Sequence, residues 1–391
     1  MATKNSAALF YQRRLCNLAS MKELLKSLIR AESTVDKGES AAADVLRAHL
    51  ADRGLDSHVT GWDGGRANIV ARMKSTGRRP GLLFACHLDV VPPGEGQWKH
   101  PPFSAVEEDG KIYGRGSADM KGSIAALVTA IEKVVSSKAE LKGDIIFAAV
   151  AGEETDSCGI KKFIAEYRDK LPPLAGVIVA EPTNFEVITA HRGLLWLEVI
   201  TKGRTAHGSM PQLGVNAINS MRAFLDEFDR MKLSADKHPL LGDCSISVNT
   251  ISGGKAVNVV PDLCSTKIDI RTLPGQSHTA LIEHFGAVFA RLKKSNPDFD
   301  AEVRTVRDVG ALETDNDCEF VRKFCSVVGC SETTTAGFCT DGPFLTSLGA
   351  PIVIFGPGRG ELCHKPDEYV EIADLEKGVD FYRSLLEKFL L

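Results

Sequence analysis

No long run of one charge sign occurs in this sequence, and the net charge is only −4. A nucleic-acid-binding protein would carry a basic patch or stripe, so that class lacks its electrostatic footprint here. No apolar stretch is long enough to span a bilayer, so a helical membrane protein is not expected. Ten cysteines are present, none of them in a CxxC pair, and they lie scattered through apolar segments. They read as reduced thiols in the cytoplasm, each packed as a small hydrophobe. There is no internal repeat and no low-complexity segment. The N-terminus lacks the apolar core of a secretory signal. Lys4, Arg13, Arg14 and Lys22 occur with no acid among residues 1–22, a composition that also suits an organelle transit peptide. The expectation is a frayed extension over residues 1–20.

What is present is an ordinary globular composition, 43% hydrophobic and 25% charged, over 391 residues. That length is too great for one core, which predicts two domains or one domain with a large insertion. Helical periodicity marks 21–30 and 39–53, followed by strands at 67–73 and 81–90. "AVEEDGKIYGRG" reads as a hairpin turning at Asp109-Gly110, and a helix is expected to start directly after Asp119. "GDIIFAAVAG" and "AGVIVAEP" are continuous apolar runs suited to strands buried on both faces, with the helical "SCGIKKFIAEYRDK" between them. This alternation predicts an α/β fold with a doubly wound mixed sheet. After residue 193 the pattern becomes strand, helix, two strands, helix, strand, an α+β module with an antiparallel sheet and two helices. The module is placed at 194–305 as an insertion, leaving 1–193 and 306–391 as the other domain.

Charged and imidazole groups gather where the apolar strands end. "LLFACHLDV" delivers His87 and Asp89, "VAGEE" delivers Glu153 and Glu154, and "VIVAEPT" delivers Glu181. Asp119 stands between a glycine-rich turn and a helix, and His364 follows "PIVIFGPG". In an open α/β sheet ligands bind outside the carboxyl ends of the strands. Each residue alone has an ordinary reading, a hydrogen-bonded histidine or a helix N-cap for Asp119. Together, the carboxylates would repel one another and raise each other's pKa. No cluster of Lys or Arg lies nearby in sequence, so a divalent cation is the simplest neutraliser. Two histidines with several carboxylates and no thiolate pair suit Zn, Co or Mn in a hydrolytic site. Five candidate ligands are too many for one open catalytic metal, and two metals sharing a carboxylate would use them all. His87 and Asp89 lie two apart on a strand and face the same side, so the Asp89 carboxylate can accept the second ring N–H of His87. Cys86 points away from that side and reads as packing, while a thiolate ligand at Cys363 stays open.

The motifs "HLDVVPPGEGQWKHPPFS…DGKIYGRGSADMKG", "AGEET", "AEPT", "TAHGSMPQLGVNAI", "DIRTLPG" and "FGPGRGELCHKPDEYVE" resemble those of a family of metal-dependent deacylases and peptidases. That family includes acetylornithine deacetylase, succinyl-diaminopimelate desuccinylase, aminoacylase and bacterial glutamate carboxypeptidase. The match runs from about residue 20 to the C-terminus and looks most like the acetylornithine deacetylase branch. The resemblance implies two zinc ions, with cobalt or manganese as substitutes. It gives His87, Asp119, Glu154, Glu181 and His364 as their ligands, Asp119 bridging. One zinc would go to His87 and Glu181, the other to Glu154 and His364. It implies Glu153 as general base and Asp89 as partner of His87. It also implies that the 194–305 module is a lid carrying a homodimer interface. Within it His207 matches a histidine that reaches the neighbouring subunit's active site. Asn258 and Arg271 match residues that hold the substrate carboxylate or the oxyanion.

The expected activity is therefore that of a di-zinc amidohydrolase that takes the acyl group off an N-acyl amino acid through a metal-activated water. A dipeptidase or carboxypeptidase of the same family, with the same metals and base, is the alternative. A non-catalytic binding relative is a third reading, and such a relative would be expected to lose the base or a ligand.

Overall fold

The computed structural model describes residues 17–231, 233 and 237–391. The N-terminal extension and Cys16 lie outside these residues. The chain forms two compact units: one comprises the residues up to Thr189 with Thr314–Thr334 and Thr340–Leu391, the other Ala190–Glu313 with Thr335–Cys339. The expected 194–305 insertion lies inside the second unit. Its short return segment, 335–339, has no counterpart in the sequence reading.

The first unit opens with helix α1 over 17–30 and α2 (Ser40–Ala51). Strands β1 (Ser57–Trp62), β2 (Arg66–Met73) and β3 (Gly81–His87) follow, then a hairpin of β4 (Val106–Glu108) and β5 (Lys111–Tyr113). Helix α3 (Gly122–Ser136), β6 (Ile145–Val150), α4 (Cys158–Tyr167), β7 (Leu174–Val179) and β8 (Ile188–His191) complete its first pass. All seven residues of β3 and all six of β6 are buried, as apolar runs covered on both faces require. β3 lies between β6 and β7 and is parallel to both, so the three carboxyl ends share one sheet edge.

The second unit contains β9 (Gly193–Lys202), α5 (Ala217–Phe228), β10 (Ser245–Gly253), β11 (Leu263–Thr272), α6 (His278–Ser295), β12 (Asp300–Val309) and β13 (Leu312–Glu313). Its main sheet has the order β10-β11-β9-β12 and is antiparallel throughout. Asn216 caps α5 by accepting from the Ile218 and Asn219 amides, and Ser277 caps α6 through the Ala280 amide. Leu195, Leu197, Val199, Phe224, Ile268 and Phe285 form the core beneath these helices.

The chain returns to the first unit with α7 (Glu319–Val328), the short α8 (Gly342–Leu345), β15 (Ile352–Ile354), β16 (Tyr369–Glu371) and α9 (Ile372–Leu390), while β14 (Thr334–Ala336) runs from Thr334 of the first unit into the 335–339 segment of the second. The large mixed sheet has the order β1-β2-β6-β3-β7-β15-β8-β13, with β14 on β8. β16 pairs with β5, placing Tyr369 opposite Tyr113. Residues Gly122 to Ile131 of α3 are buried without a break, so this helix is apolar all round. It packs against α9, whose buried Tyr382 hydroxyl donates to the Phe355 carbonyl at 3.0 Å. Among the described residues no helix is long and apolar enough to cross a membrane.

One expectation needs correction. The α-helix does not begin directly after Asp119 but at Gly122, behind a turn over Ser117–Lys121 in which Asp119 and Met120 are non-helical. Beside this turn the Ala118 and Asp119 amides donate to the Glu368 carboxylate. Gly122 closes this turn: a Cβ there would lie 2.5 Å from the Ser117 carbonyl oxygen. Gly122→Ala should therefore lower the unfolding free energy by about 1–3 kcal/mol. Denaturant unfolding at unchanged slope measures it, and an unmoved midpoint would contradict the close approach.

Candidate metal centre

Six of the predicted residues meet at the shared carboxyl edge of the first unit. His87 is the last residue of β3, Glu153 and Glu154 follow β6, and Glu181 follows β7. Asp119 arrives from the turn before α3, and His364 from the loop between β15 and β16. Gly152 makes the turn into the glutamate pair at φ +79, where a Cβ would lie 2.3 Å from the Arg66 guanidinium.

Asp119 is the junction. Its Oδ1 lies 3.0 Å from His87 Nε2, and its Oδ2 lies 3.4 Å from His364 Nε2. Glu181 Oε2 is 3.7 Å from His87 Nε2, and Glu154 Oε1 is 2.8 Å from His364 Nε2. One ligand atom each from His87, Asp119 and Glu154 lies within 4.8 Å of the others. Two imidazoles and three carboxylates turned inward, with one carboxylate facing both imidazoles, is a donor set that fits a pair of divalent cations. The helix N-cap reading of Asp119 does not hold, because its carboxylate serves the imidazoles rather than helix amides.

Asp89 acts differently from expectation. His87 Nδ1 lies 2.9 Å from the Asp89 backbone carbonyl, the nearer acceptor, and 3.7 Å from its carboxylate. The two Asp89 carboxylate oxygens accept instead from the Glu153 and Glu154 amides, at 3.1 and 3.0 Å. The carbonyl still fixes the ring so that Nε2 faces Asp119. The carboxylate fixes the backbone of both glutamates.

The electrostatics follow from burial and mutual charge. Burial raises Glu153 well above the usual carboxylate range, and the neighbouring Glu154 charge adds to it. Burial and Asp119 likewise raise Glu154, and burial pushes Glu181 to about 7. Hydrogen bonds to Asp119 and Glu154 raise His364 to about 10. For His87, burial pulls downward, but Glu181 and Asp119 outweigh it and raise the ring above its ordinary value. Burial would raise Asp119, but its bonds to the two histidines outweigh that and keep it ionised.

Three residues important to this site were missed in the sequence. Asp341 is 4% exposed, and burial pushes it to about 7 against the lowering effect of the Ser157 hydroxyl. Its only signal was an acid in the turn "CTDGP". Arg115 and Glu368 form a buried ion pair at 2.6 Å behind Asp119. In the second unit, His207 is exposed and its Nδ1 lies 2.7 Å from the Ser209 hydroxyl. The Asn258 carbonyl accepts from the Gly208 amide, and His207 bridges to Val259, so the predicted pair is adjacent. Arg271 sits on β11, held by Asp269 at 2.8 and 3.1 Å. It lines a cavity of about 300 Å³ with Arg192, Leu241 and Cys339.

Because His364 and Glu181 hold protons near neutrality, a cation entering the site must displace them. Apparent zinc affinity should therefore rise as pH rises from about 6 to 8, with proton release on binding. Calorimetry in two buffers of different ionisation heat measures both, and a pH-independent affinity would contradict this electrostatic picture.

The sequence matches Peptidase family M20/M25/M40 over residues 83–388. It is 30% identical to the acetylornithine deacetylase of Proteus mirabilis, over 93% of this chain and 94% of that protein. It is 27% identical to the probable succinyl-diaminopimelate desuccinylase of Staphylococcus epidermidis, over 94% and 97% of the two chains. The fold matches an M20 family metallo-carboxypeptidase from Sulfolobus solfataricus with a TM-score of 0.77 at 20% identity, covering 95% of this chain and 98% of that one. It matches a dinuclear metal binding peptidase of the M20 family from Bacillus subtilis with a TM-score of 0.68 at 15% identity, covering 94% and 98%. The chain belongs to peptidase family M20/M25/M40 and is a metal-dependent hydrolase of linear amide bonds.

Proposed function

We propose that this hydrolase removes the acyl group from an N-acyl amino acid, with two zinc ions held on either side of the Asp119 carboxylate. The observation that carries the reading is the placement of Asp119 between two imidazoles, each with its own second carboxylate. His87 and Glu181 would hold one ion and Glu154 and His364 the other, with Asp119 common to both. Cobalt or manganese suits the same donors. Divalent cations bound there would lower the pKa of water and polarise the substrate carbonyl.

Glu153 takes a proton from the attacking water and returns it to the leaving amine. It must first be ionised, and its raised pKa falls when positive charge sits beside the adjacent Glu154. Asp89 keeps the two glutamates apart in role by holding both amides, so that their side chains leave the backbone from fixed points. His207 and Asn258 are proposed to stabilise the oxyanion, His207 from a partner copy, and Arg271 to grip the substrate carboxylate. A homodimer through the second unit is supported by β10, one of the two edge strands of its sheet. Ile251 on that strand is exposed, as is Val257 in the loop that follows it. The described cysteines are all free thiols, in keeping with a cytoplasmic enzyme.

The names of the curated relatives favour a deacylase. Those of the structural neighbours favour a dipeptidase or carboxypeptidase, which the same metals and base would serve. Screening the zinc-loaded chain against N-acetylornithine, N-succinyl-diaminopimelate, other N-acyl amino acids and dipeptides decides between them. Turnover confined to dipeptides would overturn the deacylase reading. Against the best substrate, Glu153→Gln should lower kcat by roughly 10²–10⁴-fold with metal content intact. Glu154→Gln should lose metal, as read by elemental analysis, and the same loss in both variants would refute the division of roles. His207→Ala should be inactive alone and recover activity when refolded together with Glu153→Ala. No recovery would rule out a histidine supplied by the partner.

A further inference from the structure

The two cation positions proposed above are not equally supported. His87 and Glu181 sit at the ends of buried central strands. His364 sits on a loop, half exposed, with a left-handed backbone at φ 64 that an L-residue rarely adopts. Asp367, three residues on, is also left-handed at φ 56. Something must hold this loop against Asp119, and it is visible on the buried side.

Arg115 and Glu368 are 2% and 1% exposed. Glu368 Oε2 accepts from Arg115 Nη1 at 2.6 Å, while its Oε1 accepts from the amides of Ala118 and Asp119 at 3.0 and 3.2 Å. Arg115 Nη1 also donates to the Lys365 carbonyl at 3.3 Å, next to His364, and the guanidinium lies 5.2 Å from the Trp98 ring centroid. The Glu368 carbonyl accepts from the Gly114 amide, and Asp367 Oδ1 accepts from the Lys99 amide. The pair thus ties the Asp119 turn to the His364 loop through side-chain bonds at both ends.

A stability role alone does not explain this choice of residues. A buried ion pair is often no better than a well-packed apolar pair. An apolar pair could not accept the two amides and would leave both without this partner. The geometry points to Arg115 and Glu368 as positioning residues that set the separation of Asp119 and His364, and through it the affinity of the cation position formed by Glu154, Asp119 and His364. This rests on the di-metal reading of the site.

The test is calorimetric titration of zinc into the chelator-stripped full chain, wild type and Glu368→Gln, with Arg115→Lys in parallel. The wild type should take up two equivalents, and fewer than two would refute the di-metal reading itself. In Glu368→Gln the weaker equivalent should lose about 10–100-fold in affinity while the tighter one changes little. The activity loss should appear in kcat rather than KM. Arg115→Lys keeps the charge but not the reach to the Lys365 carbonyl. It should show the same selective loss to a smaller degree, and it carries the test if Glu368→Gln fails to fold. Unchanged affinity for both equivalents, or equal weakening of both, would overturn the proposal, the second by showing that the pair only holds the fold.

Discussion

One carboxylate facing two imidazoles organises this molecule. Asp119 offers one oxygen to His87 and the other to His364, at 3.0 and 3.4 Å. It belongs to neither a strand nor an α-helix, but to a turn whose amides have been taken by a distant glutamate. The parallel strands bring His87, Glu154 and Glu181 to one edge, and Asp119 reaches the two histidines from outside the strands.

The cost of the arrangement is electrostatic. Glu153, Glu154, Glu181 and Asp341 are all raised by burial, and protons held near neutrality on His364 and Glu181 reduce the net negative charge. Metal ions can replace those protons, which couples the chemistry of the base to occupancy of the site. The backbone shared by the adjacent glutamates is fixed by Asp89, whose carboxylate accepts from both of their amides. The Arg115–Glu368 pair extends the same logic one layer outward, from ligands to the loops that carry them.

The strand ends were legible because a buried parallel strand reads as an apolar run, and a charge where it stops has no packing explanation. That exposed His87, Glu153, Glu154 and Glu181 from residues alone. The parts that misled were those set by remote partners. Glu368 lies 250 residues from Ala118, so the non-helical Asp119 turn leaves no local trace. The Asp89 carboxylate was given to His87 because strand alternation shows only which side a residue faces, not which of its oxygens is used. β1 lacks apolar alternation and stayed hidden, whereas α7, with Phe320, Val321 and Phe324 at helical spacing, could have been read. The roles of His207, Asn258 and Arg271 came from family resemblance and had no signal in composition or period.

An X-ray structure of the zinc-loaded chain, with anomalous scattering recorded at the zinc edge, tests the central claim most directly. The account predicts two peaks flanking the Asp119 carboxylate, one beside His87 and Glu181 and the other beside Glu154 and His364. A single peak, or two peaks that do not share Asp119, would contradict it.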